Sequence, residues 1–391
     1  MNTAQPHIAL VDLYAGGHHR MYLEILVRQF VTQQVPGRMT LFLGPAFERI
    51  HPGFQDGIRN MAPECVDVVM LEGLDHIREG TMSWQELVAN DRAHGVALEQ
   101  VEAHRPDHVV IMTFDHAQLT TARFRNPDIS LWGIYFRASF HYPPSTAMDR
   151  LRRIRKKLLL ARAVRNSSLK GLFCLDPWAV EPIDRLARRS MAVALPDGNT
   201  TMVEYQPPVT SSMRTYLFFG VLSEWKGLGV TMDAWEKQPP ENARLVLAGR
   251  TPRDVDPEFR SRLLTFSRRE DVLWHETYIQ EEAIGTLFSD AHIVLIPYQA
   301  HIGSSNVLIK AAQAGRPVIG PSNGQVGRQI VAHHLGLAID SSSVSELADA
   351  LALPPSAIPF NVTAARAFAA ENTEYRMARV FYDTLVPIWS R

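Results

Sequence analysis

Short apolar runs alternate with longer stretches of helical period along almost the whole chain. Residues 7–13 (HIALVDL), 39–43, 65–71, 108–113 (HVVIMT), 131–135 (LWGIY), 171–175 and 191–195 are apolar runs of strand length. Between the first two, residues 20–33 place Tyr22, Leu23, Leu26, Val27 and Phe30 on one helical face, and residues 84–104 form a second helical stretch. Strands that are apolar throughout are buried on both faces. The alternation therefore predicts a parallel sheet with helices on each side.

A Pro/Ser/Thr-rich link, residues 205–213 (YQPPVTSSM), interrupts this pattern, after which the alternation starts again. Strands are expected at 215–219, 244–248, 272–274, 293–297 and 317–319. Helices are expected at 228–236, 257–266, 281–288 and 307–314, the last stopped by Gly315 with Pro317 just beyond. Residues 362–391 are helical by pattern, with Trp389 near the end. At 391 residues the chain exceeds one ordinary core. We expect one domain at 1–207, a second at 208–375, and a C-terminal helix, 376–391, that packs on the first.

Composition narrows the function classes only a little. An apolar content of 46% with 21% charged residues is that of a globular protein. The net charge of −1 gives no global pull toward nucleic acid, so any anion site is local. Cys65 and Cys174 stand in apolar runs and suit packing positions in a reducing compartment. Without signal-peptide features or a run of membrane-span length, a cytoplasmic location is expected. Residues 149–165 (DRLRRIRKKLLLARAVR) predict a helix with a dense basic face and apolar positions at Leu151, Ile154, Leu158 and Leu159. That face could rest on anionic lipid, grip an acidic acceptor, or be solvated.

Open α/β sheets bind ligands beyond the carboxyl ends of their strands. Four polar clusters fall there. Gly16, Gly17, His18 and His19 follow the first strand, where paired glycines suit a tight turn or the approach of a ligand. His18 and His19 would bind substrate, or cap and pack. Asp115 and His116 follow the 108–113 run; Arg137 and His141 follow the 131–135 run. Gly303, Ser304, Ser305 and Asn306 lead into the helix at 307, either as an anion site or as an ordinary loop.

The second half carries a series of motifs. FFGVLSEWKG at 218–227 is similar to F-G-R-L-x-x-x-K-G. LVLAGR at 245–250 looks like a strand ending in Gly. DAHIVLIPY at 290–298 and AAQAGRPVIG at 311–320 match A-D-x-x-x-x-P and E-A-x-A-x-G-x-P-V-V. In this order and spacing they resemble the retaining glycosyltransferases often called family 4, and in the first half AGGHHRMYLEIL at 15–26 resembles the opening loop and helix of that family. The resemblance implies the GT-B architecture: α/β, two Rossmann-like domains facing across a cleft, the C-terminal helix crossing back to the first. It also implies transfer of a sugar from a nucleotide-diphosphate donor, UDP- or GDP-linked, to a hydroxyl acceptor without a metal ion. No other cofactor is implied.

A nucleoside-diphosphate leaving group needs fixed positive charge and amide N–H groups. On the resemblance Lys226 supplies the charge, Ser304, Ser305 and Asn306 the amides, and Gly16, Gly17 and His18 the facing wall. Arg250 borders this site, and the base is read around Tyr278 and Ile279. Two departures stand out. Ile302 and Lys310 occupy the positions of the family's E-x7-E pair, and Val221 that of the arginine in G-R-L, which suggests that Lys310 replaces the lost charge. Arg137 falls where the family places a histidine, leaving His116 or His141 as the base, with Asp115 as the other choice. The alternatives are a GT-B protein that binds a nucleotide sugar without turnover, and a sugar-nucleotide epimerase. The latter wants acidic groups that this loop lacks.

Overall fold

The structure, a computed structural model, describes residues 5–74, 83–144, 146–199, 202–207, 213–252, 254–276 and 279–386. Tyr278 and Trp389 lie outside the described residues. The chain divides into two units, Met1–Thr200 with Glu374–Arg391, and Thr201–Thr373.

In the first unit the elements run β1 (His7–Asp12), α1 (His19–Thr32), β2 (Arg38–Leu43), α2 (Ala46–Ile50), α3 (Phe54–Met61), β3 (Val66–Met70), α4 (Trp84–Glu102), β4 (His108–Ile111), α5 (Gln118–Arg123), β5 (Ser130–Tyr135), α6 (Ala147–Ala163), β6 (Leu169–Cys174), α7 (Val180–Ala187) and β7 (Ala192–Ala194). The seven strands form one parallel sheet in the order β3-β2-β1-β4-β5-β6-β7. On β1, Ile8 and Leu10 join a core with α1 and α3, while Ala9 and Val11 join a core with α4, α6 and α7 on the other face. Both faces are covered, which is why these strands read as unbroken apolar runs.

The second unit repeats the plan: β8 (Arg214–Phe219), α8 (Leu228–Lys237), β9 (Ala243–Ala248), α9 (Pro257–Phe266), β10 (Val272–His275), α10 (Glu281–Asp290), β11 (Ile293–Leu295), α11 (Asn306–Ala314), β12 (Val318–Pro321), α12 (Gly324–Ala332), β13 (Gly336–Ile339), α13 (Val344–Ala352) and α14 (Val362–Glu371). Its parallel sheet has the order β10-β9-β8-β11-β12-β13. The last helix, α15 (Glu374–Leu385), belongs to the first unit. There the Tyr382 hydroxyl donates to the Leu26 carbonyl at 2.6 Å, and Phe381 meets Phe173 with ring centroids 4.9 Å apart. Of the cysteines, Cys174 is buried and Cys65 half-buried, and both are free thiols.

The helix expected at 149–165 is α6 (Ala147–Ala163). Of the apolar positions assigned to α6, Leu151, Ile154 and Leu158 are 62%, 50% and 65% exposed, and Met148 extends the stripe at 59%. The buried side of α6 is Leu160 and Ala163, and Thr146 caps its start by accepting the Asp149 N–H at 3.1 Å. A helical period shows which residues share a stripe, not which stripe meets the sheet. Here Leu160 and Ala163 make the contact with the core.

Candidate functional site

In each sheet the order reverses direction beside the first strand, between β1 and β4 and between β8 and β11. The loops leaving such neighbours diverge to opposite faces and open a crevice at the carboxyl ends. In the first unit that crevice is a cavity of about 460 Å³, walled by the loops after β1, β4 and β5 and by one side of α6.

Asp12 ends β1 with no exposed surface. Its carboxylate accepts the Tyr14 N–H at 3.2 Å and the His19 Nδ1–H at 2.8 and 2.9 Å. Since a carboxylate only accepts, this contact places the proton of a neutral His19 on Nδ1 and the lone pair on Nε2. A carboxylate behind an imidazole that lines a cavity is the arrangement of an oriented general base. Gly16, Gly17 and His18 line the same cavity, His18 at the start of α1 without a side-chain capping bond.

The structure brings Asp115, His116 and Arg137 to this cavity as well. The Asp115 oxygens accept the Phe136 and Arg137 N–H groups, each at 2.9 Å, so this carboxylate holds the loop after β5 in place. Burial lowers the His116 pKa, with Asp115 opposing and Arg137 and His19 adding to the shift. His141 is placed elsewhere. Its Nε2 is 2.9 Å from Asp176 Oδ2, which also accepts the Tyr142 hydroxyl at 2.7 Å, and it is not part of the cavity wall.

The chain pattern did not point to Asp12, Tyr14, Arg155 or Lys156. An acidic residue closing an otherwise apolar strand was the available signal for Asp12. The Tyr14 ring lies 5.9, 6.1 and 5.1 Å from the rings of His19, His94 and His116. His94 is buried, contacts the Asn90 carbonyl through Nδ1 at 2.7 Å, and has its pKa lowered by burial to about 4. The unfolded chain takes up this proton near pH 6.5 and the folded chain only near 4. Stability is therefore full above pH 6.5 and is lost as pH falls toward 4, by about 3 kcal/mol for this residue. His94→Gln should flatten that part of the urea-unfolding profile by a similar amount; an unchanged slope would refute the assignment.

In the second unit, Lys226 ends a 3-10 turn (Glu224–Lys226) after β8. Its ammonium sits 3.8 Å from the centroid of the Tyr298 ring and 4.4 Å from that of Trp225. Tyr298 in turn reaches across: its hydroxyl is 3.1 Å from Ser305 Oγ, and Ser305 caps α11 by accepting the Leu308 N–H at 3.3 Å. His301, a further residue that the motifs did not single out, meets the Tyr298 ring nearly at right angles and is 3.0 Å from the Ser304 carbonyl through Nε2. The loop after β8 thus meets Gly303, Ser304, Ser305 and Asn306, whose helix start leaves amide N–H groups without intrahelical partners.

Two glycines make this approach feasible. Gly227 has φ +84°, and a Cβ there would stand 2.0 Å from the Pro297 carbonyl oxygen; Gly249 has φ +147°, and its Cβ would stand 1.7 Å from the Gly220 oxygen. Neither position has room for a side chain. Arg250 is exposed, and its carbonyl accepts the Leu222 N–H at 2.9 Å. Ile279 is half-buried against the core of this unit. Lys310 is only 7% exposed, within a helix whose residues from Val307 to Ala314 are all buried.

Residues 213–353 match the family model described as Glycosyl transferases group 1. No curated protein sequence matches the chain. Among solved structures it is similar to sucrose-phosphate synthase from Thermosynechococcus elongatus, with TM-score 0.71, 14% identity, and coverage of 99% of this chain and 100% of that one. It is also similar to HepE from Anabaena in complex with UDP and glucose (TM-score 0.65, 14% identity, coverage 98% and 100%). A third is the lipopolysaccharide outer core galactosyltransferase WaaB (TM-score 0.64, 12% identity, coverage 98% and 99%). At these identities the likeness is one of fold, and the fold is GT-B. The match to the Glycosyl transferases group 1 model lies within the second unit, over the stretch that holds the sequence motifs.

Proposed function

We propose that the protein is a glycosyltransferase that moves a sugar from a nucleoside-diphosphate donor, UDP- or GDP-linked, to a hydroxyl of a glycan, glycolipid or small-molecule acceptor. The observation that carries this reading is the meeting of Lys226, Tyr298 and Ser305 at the switch point of the group 1 domain. A fixed cation beside a helix N-terminus is what a departing diphosphate requires, and neither depends on a metal ion. The complex of HepE with UDP-glucose is consistent with such a donor.

In this reading the acceptor oxygen bonds to the anomeric carbon as the bond from that carbon to the diphosphate oxygen breaks. The hydroxyl proton passes to Nε2 of His19, whose imidazolium the buried Asp12 carboxylate stabilises. His116, kept neutral by burial, is the second imidazole on the same wall and helps set the polarity of the cavity.

The test is a melting-temperature screen of the full chain with UDP-, GDP-, ADP- and dTDP-sugars, followed by nucleotide release in EDTA. A donor that binds the folded state raises the midpoint, by about 2.7 kcal/mol of stability at a hundred times its dissociation constant. UDP-glucose is expected to do so and to release UDP only with acceptor present. No shift with any donor would end the proposal. Ile302 and Lys310, standing where the family has its carboxylate pair, favour one other reading, a nucleotide-sugar binder without turnover. Stabilisation without release would select it.

A further inference from the structure

Three cations converge on the cavity of the first unit, and a neutral sugar hydroxyl needs none of them. Arg137 comes from the loop after β5; Arg155 and Lys156 are consecutive residues of α6. Lys156 is drawn in from solvent, and its ammonium donates to Ser139 Oγ at 2.7 Å. Neither Arg137 nor Lys156 forms an ion pair with a described carboxylate. Asp115 is the one acidic residue on the cavity wall among the described residues, and backbone N–H groups engage both of its oxygens. The half-buried Lys156 ammonium, with two further cations on the same wall, leaves a strong demand for a bound anion. They share the wall with His19 and His116, where an acceptor hydroxyl must stand if either is the base.

We propose that Arg137, Arg155 and Lys156 form an anion subsite, and that the acceptor therefore carries a phosphate group. This rests on the transferase reading above and names its substrate class. Lys226, in the second unit, answers to the donor diphosphate in that reading. The phosphate has two chemical sources. A soluble sugar phosphate fills the cavity directly. A lipid phosphate arrives at a membrane, and α6 carries the means along an adjoining face: the exposed Met148, Leu151, Ile154 and Leu158, on a helix that also exposes Arg150, Arg152 and Lys157.

The experiment uses the full chain and inorganic phosphate as the probe. Phosphate is expected to raise the melting midpoint equally with and without saturating UDP. Lys156→Met and Arg155→Gln should each lose that response while keeping the response to UDP. In turnover, hexose 6-phosphates should exceed the parent hexoses in kcat/KM by about 10²-fold or more, and the preference should fall to a few-fold in Lys156→Met. Vesicles of phosphatidylglycerol, compared with phosphatidylcholine, identify the source. Co-sedimentation lost in a Leu151→Ser, Leu158→Ser double variant means a lipid phosphate; no vesicle binding together with turnover of soluble phosphates means a soluble one.

A phosphate response that disappears once UDP is bound would overturn the subsite by assigning its cations to the donor. So would the absence of any response, or equal use of hexoses and their phosphates. A failed UDP response beside an intact phosphate response counts against the transferase reading and leaves the subsite standing.

Discussion

Asp12→Asn is expected to lower kcat by about 10²–10⁴-fold, the range by which a positioned general base accelerates proton transfer, with the donor KM little changed. Asparagine keeps the shape of the side chain and one acceptor oxygen for the Tyr14 N–H. It loses the charge that stabilises a protonated His19, and its amide can donate to Nδ1. That drives the imidazole proton to Nε2, where the lone pair has to be. The loss should therefore appear in the chemical step. Because Asp12 has no exposed surface, circular dichroism and the melting midpoint must accompany the kinetics. A folded Asp12→Asn protein with normal kcat would remove His19 from the base role and leave His116.

The second large effect is expected at Lys226. Lys226→Ala should weaken UDP binding by about 10–100-fold, equivalent to the roughly 1.5–3 kcal/mol of a hydrogen bond to a charged group. Turnover should fall by about 10²–10³-fold, because charge accumulates on the diphosphate as its bond breaks. Truncation also removes the contacts of the ammonium with the rings of Trp225 and Tyr298, about 0.5–1 kcal/mol at a partly exposed site. Lys226→Met keeps the stem against the rings and isolates the charge. Calorimetric titration with UDP decides the matter: an unchanged dissociation constant in both variants would show that the diphosphate is held elsewhere.

Particular residues show what was legible in the chain. Gly227 and Gly249 stood in motifs and proved to be positions where loops pass too close for a side chain. The small-residue loop from Gly303 to Asn306 did lead into a helix capped by Ser305. Asp115, His116 and Arg137 were picked from loops after different strands, and the sheet does bring them to one cavity. His141 was chosen by the same logic and turned instead toward Asp176, a partner 35 positions away that no local pattern could supply. Arg155 and Lys156 were visible only as members of a basic helix, because the cavity lies against one side of that helix and sequence period has no sense of sides.

Alone, the order of residues determined the class of fold. Unbroken apolar runs, helical periods, and the glycines and prolines between them act over a few neighbours, and together they call for parallel sheets covered on both faces and for polar loops at the strand ends. Only the tertiary structure decided which of those loops meet. Tyr298 comes beneath Lys226 because β8 and β11 lie side by side, with Tyr216 opposite Ile293, and Asp12 comes behind His19 because the turn after β1 folds back over its own strand end. It also decided that α6 shows Leu151, Ile154 and Leu158 to solvent and two cations to a cavity. Contacts of this kind depend on strand order and on which neighbour claims each face, and both are settled between segments distant in the chain.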